Sequence, residues 1–312
     1  MKKITSLIIA VLLLFTSGCT ARNLETTPGE IPGGKSVTFT DALGHSVTVT
    51  NPGRVAAASG SFARVWQLAG GRLTGATRDA FDDGTVSAAY AADIGGNHSP
   101  SAEVILSLNT DFVILSANIP GQVKLYDLLS AAGINIAYFS VETFKDYQNM
   151  LKIFTDITGR EDLYMRNGSD IQTEIDGIIG RTDGEPSPKV LLLRASSGKV
   201  SVLNSDSMAG IMLKDMGCVN IADSDNGLLD NLSMETIIEQ DPDFIFATTM
   251  GEPDKAEAAL CDTLLSNPAW RDLSAVKNDR YILLPKDLFH EKPNDRWAEA
   301  YEKLWEILYG RE

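Results

Sequence analysis

The sequence predicts an α/β protein of two similar lobes with mainly parallel sheets, joined by one long rigid helix and holding a ligand cleft between the lobes. Three observations predict it. One stretch occurs twice: residues 100–116 read PSAEVILSLNTDFVILS and residues 232–248 read LSMETIIEQDPDFIFAT. At an offset of 132, Ser101 meets Ser233, Glu103 meets Glu235, Ile105 meets Ile237 and Asp111 meets Asp243. Strand and helix signals also alternate around each copy, as in a parallel sheet covered by helices. Finally, residues 144–182 carry no strand signal, but Leu163, Ile171, Ile175, Ile178 and Ile179 recur at helical spacing.

Within each copy the Ser two residues before a Glu is a helix-start signal. The apolar runs after Asp111 and Asp243 read as strands buried on both faces. The N-terminus stands apart from all of this. Lys2 and Lys3 precede a mostly apolar run over residues 4–15, too short to span a bilayer comfortably, and then Thr16-Ser17-Gly18-Cys19. That pattern is a secretory signal, and the small residues before a single Cys resemble a bacterial lipobox, with Thr16 where Leu is usual. The expectation is a signal peptide over residues 1–18, lipidation of Cys19, and a flexible Thr-, Gly- and Pro-rich tether over residues 19–36.

Loss of residues 1–18 removes two lysines and leaves 25 basic against 42 acidic side chains. So acidic a chain excludes nucleic acid as a partner, because a phosphate backbone needs a basic face. After Cys19 only Cys218 and Cys261 remain, which gives neither a disulfide framework nor zinc spacing.

In order along the chain, residues 37–39 and 46–50 alternate about Asp41-Ala-Leu-Gly44-His45 and predict a hairpin. Val55-Ala-Ala-Ala is a short core strand, and Ser59-Gly60-Ser61-Phe62 opens a helix. Strands over residues 73–76, 112–116 and 134–140 complete a first lobe, residues 37–144. Gly159 breaks the helical segment 145–182, and a second helix over 160–180 is long enough, at roughly 30 Å, to run from lobe to lobe. A second lobe, residues 183–312, repeats the order of the first and ends in a helix over about 294–308.

Ligands of such sheets sit beyond the carboxyl ends of the strands. The candidate ligand residues are therefore Phe62, Arg64, Arg78, Phe81 and Asn118 from the first lobe, and Arg194, Ser197, His290, Lys292 and Arg296 from the second. Lys292 and Arg296 could meet carboxylate or catecholate oxygens, with Phe289 and Trp297 along a flat ligand. His290 could ligate a metal or haem, or simply be a polar loop residue. With three His in all, a bare metal ion is poorly served, whereas a chelated ferric ion brings its own ligands.

The assembled pieces resemble the substrate-binding lipoproteins of bacterial ABC importers, of the class with two α/β lobes bridged by one long helix, whose members bind ferric siderophores, haem or cobalamin. The resemblance covers about residues 37–310. It rests on Phe39-Thr-Asp-Ala-Leu-Gly44, Arg54-Val55, Ile94-Gly95, Pro100-x-x-Glu103-x-Ile105, Asp111-Phe-Val-Ile114, Thr158-Gly159-Arg160-Glu161 and the run from Glu235 to Asp243. His45 stands where Arg is common, and Thr110 where Pro is. The resemblance implies a monomeric, non-enzymatic protein without a resident cofactor or protein-held metal. It implies that Glu103 and Glu235 dock on arginines of the permease, and that the ligand is a ferric siderophore, with haem or a corrinoid next and an oxyanion after that. A sensor ectodomain and a secreted hydrolase are competing classes. Neither Gly-x-Ser-x-Gly nor a phosphate-binding Gly-x-x-x-x-Gly-Lys-Ser/Thr run occurs.

Overall fold

The computed structural model describes residues 36–310 apart from 225 and 231. The signal peptide, Cys19 and the tether up to residue 35 lie outside the described residues. Ser36 already belongs to the first strand. Ser36–Thr40 and Ser46–Thr50 form the expected antiparallel hairpin, pairing Val37 with Val49 and Phe39 with Val47. Its turn is held by Asp41, whose carboxylate accepts from the Leu43 and His45 backbone N–H groups at 2.9 and 2.8 Å. The same carboxylate accepts from Tyr138 N–H at 3.2 Å and so ties the hairpin to the first sheet.

That sheet is wholly parallel. Its strands lie in the order Ala92–Asp93, Gly75–Ala76, Val55–Ala57, Phe112–Ser116, Asn135–Phe139. Phe112–Ser116 is buried along its whole length, as an apolar run in a covered sheet must be. The chain leaves Val55–Ala57 toward one edge and later returns to its other side. The strand order therefore reverses between Val55–Ala57 and Phe112–Ser116. A crevice opens at such a switch point, where the loops leave in opposite directions.

The second sheet has Lys199–Leu203, Lys189–Ser196, Phe244–Thr249 and Tyr281–Leu283 side by side, with Val219–Asn220 pairing the start of Lys189–Ser196. Here one pair, Lys189–Ser196 with Lys199–Leu203, is antiparallel, because a two-residue turn at 197–198 leaves no room for a crossover. The rest is parallel.

Between the sheets run two helices. Phe144–Thr158 begins with a reciprocal capping box between Thr143 and Asp146, and ends at Gly159 with φ 71°. The next helix starts at Glu161–Tyr164, passes through a π-helical turn at Met165–Ser169 and continues as Asp170–Gly180. The sequence predicted this helix without the interruption. The wider turn frees carbonyls that the preceding helix collects: Tyr147 OH donates to Asn167 O at 2.8 Å and Gln148 Nε2 to Gly168 O at 3.3 Å. Ile171, Ile175 and Ile178 are buried as their spacing predicts. The C-terminal helix, Trp297–Tyr309, packs against Asp170–Gly180.

One core runs without a break from Trp66 and Phe112 under the first sheet, through Phe154 and Ile175 of the linking helices and Trp297 of the last helix, to Leu192 and Phe246 under the second. Each sheet has a smaller cluster on its other face. A shared core of this kind opposes wide opening of the lobes.

The duplicated stretch keeps its geometry in both lobes. Ser101 and Ser233 cap the helices Ala102–Ser107 and Met234–Gln240 with backbone angles of −80°, 109° and −81°, 110°. Each Ser side chain accepts from the N–H three residues on. Ile105 and Ile237 are fully buried. Asn109 and Asp241, also 132 apart, both take positive φ, at 51° and 39°.

Candidate functional site

The cleft between the lobes has a volume of about 1170 Å³ and lies at the carboxyl ends of the central strands. A smaller hollow of about 570 Å³ lies between the linking helix and the C-terminal helix, away from any strand end.

One wall starts where Val55–Ala57 ends and the helix Gly60–Leu68 begins. Ser59 offers no side-chain cap to that helix. Asp79 does the work instead: its Oδ2 accepts from Gly60 N–H at 2.8 Å, a carboxylate at the positive end of the helix. The same wall carries Arg64, then Asp82 and Asp83 at the end of Arg78–Asp82, then Asn97 and His98. Gln122 fixes the Asn97–His98 segment from behind. Fully buried, it donates to Ala58 O at 2.6 Å and Asn97 O at 2.7 Å and accepts from Ser116 N–H at 2.6 Å. A Cβ on Gly121 would collide with the His98 carbonyl, so the short helix Pro120–Val123 can press against this loop only with Gly there.

The opposite wall is residues 286–287 and 290–296 with Met250 and Gly251. Its last part reaches across the cleft. Asn294, held at φ 55°, donates to Ser61 O at 3.3 Å. Asp295 accepts two hydrogen bonds from the Arg64 guanidinium, at 2.9 and 3.2 Å. Lys292 pairs with Glu142 of the first lobe at 3.0 Å. Phe144 meets Trp297 edge-on at 5.9 Å between centroids.

Of the ten ligand residues expected from the sequence, Arg64, His290, Lys292 and Arg296 line the cleft. Their cations are engaged. Hydrogen bonding to Asp295 raises the Arg64 pKa above its usual value. Arg296 is raised likewise, by Glu299 first and Asp287 second, each at 2.7 Å. His290 is held below its ordinary pKa, by burial first and then by Arg194 and Lys286.

The other six lie elsewhere. Phe62 is 5% exposed and packs edge-on against Phe139 in the core. Phe81 is half-buried against the same core. Arg78 is exposed and pairs with Asp93 at 3.2 Å, not with its neighbour Asp79. Asn118 stands one step behind the wall, donating to Glu142 at 3.1 Å and Ser140 at 3.0 Å. Arg194 and Ser197 are exposed on the first hairpin of the second sheet. Phe289 and Trp297 are buried at 3% and 1% and offer no face to a ligand. Besides those ten, Asp79, Asp82, Asp83 and His98 line one wall and Lys286, Asp287, Glu291, Asn294 and Asp295 the other. The run Asp82-Asp83-Gly84 at a strand-end loop was the signal for two of them.

Among the described residues no group of three or more His, Cys, Asp and Glu could hold a metal ion. Glu103 and Glu235 are exposed in the first turns of their Ser-capped helices, one on each lobe.

Two α/β lobes, a stiff helical connection and a polar cleft at the strand ends define a solute-binding protein. The chain belongs to the periplasmic binding protein family, whose model matches residues 55–288. It is 25% identical over 299 residues to the iron-uptake system-binding protein of Bacillus subtilis, covering 89% of this chain and 90% of that one. With the Fe(3+)-citrate-binding protein YfmC of the same organism it shares 25% over 290 residues, 90% and 89% of the two chains. The solved structure of the siderophore-binding protein BauB, bound to two acinetobactin molecules and ferric iron, superposes with a TM-score of 0.72 at 19% identity, over 89% of this chain and all of that one. As a member of this family the protein works outside the cytoplasm. No helix among the described residues is long and apolar enough to cross a membrane.

Proposed function

We propose that this protein captures a chelated ferric ion in the cleft and delivers it to the permease of an ABC importer, without chemistry of its own, as a monomer anchored to the membrane through a lipid on Cys19. The observation that carries the reading is the matched pair of exposed carboxylates, Glu103 and Glu235. Each sits two residues after a Ser cap of the same backbone geometry, one per lobe. Two separated carboxylates on lobes that share one core can engage two separated arginine clusters in a single register. Exposed pairs contribute little affinity singly, so they set orientation. Iron as cargo is supported by the names of the two Bacillus relatives and by the ferric siderophore bound in BauB. A chelator fills the metal's coordination sphere, so the cleft needs hydrogen-bonding groups and no ligating cluster.

A haem or corrinoid is the second reading, favoured by His98 and His290, one imidazole on each wall of the cleft. The deciding experiment pairs binding with uptake. Glu103→Ala/Glu235→Ala should abolish iron uptake in cells while equilibrium binding of the ferric chelate stays unchanged. Uptake that survives both substitutions removes the docking assignment. Saturable binding of hemin that is lost in His290→Ala would move the cargo to haem.

A further inference from the structure

Resting on the reading of the cleft as an iron-chelate site, we infer that its cargo carries no net negative charge: a neutral or cationic chelate of hydroxamate type, and not an anionic catecholate or citrate complex. The first argument is the charge on the walls. Asp79, Asp82, Asp83, Asp287, Glu291 and Asp295 line the cleft, against Arg64, Lys286, Lys292 and Arg296. The six carboxylates exceed the four Lys and Arg cations by two.

The second argument is that the cations are already committed. Arg64 holds Asp295 at 2.9 Å, Lys292 holds Glu142 at 3.0 Å, Lys286 holds Glu291 at 3.0 Å and Arg296 holds Asp287 at 2.7 Å. An anionic complex would have to share every cation that it used with a carboxylate already held there, and would lie beside that carboxylate's charge. Two of these pairs, Arg64 with Asp295 and Lys292 with Glu142, also join the lobes, so weakening them loosens the site that the ligand needs.

The acceptors are differently placed. Among the described residues the exposed Asp82 pairs with no cation, and the Asp83 carboxylate takes only Thr85 N–H, at 2.8 Å. Asp79 adds negative charge behind them, its Oδ1 buried and without a hydrogen-bond partner among the described residues. Asp82 and Asp83 each suit an ammonium or N–H group on the cargo. No Phe, Tyr or Trp ring lines the cleft among the described residues, so catecholate rings would meet only the smaller imidazoles of His98 and His290 there. The charge of the cargo thus separates this cleft from one built for ferric citrate.

The experiment is equilibrium dialysis of the full chain in detergent against radioiron held by desferrioxamine B (cationic), ferrichrome (neutral), enterobactin (anionic) or citrate (anionic). The cationic and neutral hydroxamates should bind at least about tenfold more tightly than either anionic complex, with the cationic preference shrinking as salt rises. Asp82→Lys should weaken the cationic chelate by about tenfold and strengthen the anionic ones. Asp82 ends its short helix, where a Lys is favourable to the helix, so the variant keeps the fold. An anionic chelate binding tightest in the unaltered chain, or an order untouched by Asp82→Lys, overturns the inference about charge and leaves iron delivery standing. Failure of all four chelates to bind overturns both.

Discussion

Arg64 and Asp295, 231 residues apart in sequence, form a two-point ion pair across the cleft, with Nη2 to Oδ2 at 2.9 Å and Nε to Oδ1 at 3.2 Å. One residue earlier Asn294 reaches Ser61, and two residues before that Lys292 reaches Glu142. The segment 292–295 is therefore a strap from the second lobe onto the first. The shared core beneath it fixes the lobes at one end, and the strap fixes them beside the ligand.

The pair makes a measurable contribution. The Arg64 side chain is 43% exposed and that of Asp295 is 26% exposed, so solvent screens them and the coupling belongs near the upper end of exposed pairs. A double-mutant cycle with Arg64→Ala and Asp295→Ala, followed by chemical denaturation, should return a coupling of about 1 kcal/mol. Single losses that simply add would mean that the geometry carries no energy.

Gln122 has higher stakes. Its amide is fully buried and bridges Ser116, Ala58 and Asn97, so it holds the ends of both central strands and the Asn97–His98 wall together. Gln122→Ala should cost about 2–4 kcal/mol, since one buried N–H and two carbonyls lose their partner. Gln122→Glu should be worse, because it sets a buried charge against two carbonyl oxygens. Thermal denaturation ranks the three proteins. Chelate affinity should fall with Gln122→Ala even where the protein remains folded.

His290 gives a pH dependence with a definite sign. Burial, then Arg194 and Lys286, hold its pKa below 6.5; Lys292 pushes the same way and Glu291 opposes. The folded state thus binds fewer protons than the unfolded state near pH 6.5. Stability is full above that value and falls as the pH drops through it toward the depressed folded pKa. Replacing the imidazole removes this slope. Denaturation midpoints between about pH 7 and 5 should fall less in His290→Gln than in the unaltered protein. Equal slopes would place the titration elsewhere.

How much of this was legible in the sequence depended on range. The duplication was readable because its determinants are local: a Ser cap, a Glu in the first turn, one buried Ile, a residue at positive φ and an Asp ahead of an apolar strand. Gly159 was readable for the same reason. Phe62 was misread as cleft, yet its helix carries Phe62, Val65, Trp66 and Ala69 at core spacing, and all four are buried. The strap was not readable. Whether Lys292 and Arg296 are free to meet a ligand depends on Glu142, Asp287 and Glu299. The first of these is 150 residues from its partner. Residue type announced the cations, and only the fold shows that they are taken.

The two lobes also allow a comparison within one chain. Asp111 and Asp243 occupy equivalent positions ahead of equivalent strands, and both carboxylates accept from backbone N–H groups of the neighbouring strand's entry. Asp111 holds two, Gly53 N–H at 2.9 Å and Arg54 N–H at 3.1 Å. Asp243 holds one, Lys189 N–H at 2.8 Å. Hydrogen bonds to a charged group contribute about 1.5–3 kcal/mol when sheltered and less when water can replace them, as it can here. Asp111→Ala should therefore cost about 2 kcal/mol and Asp243→Ala about 1 kcal/mol, read from denaturant midpoints at unchanged slope. The difference should persist in Asn variants, whose amide oxygen can still accept but carries no charge, at about half the loss. Equal losses at the two sites would mean that the strand, and not the count of captured N–H groups, sets the energy of this repeated joint.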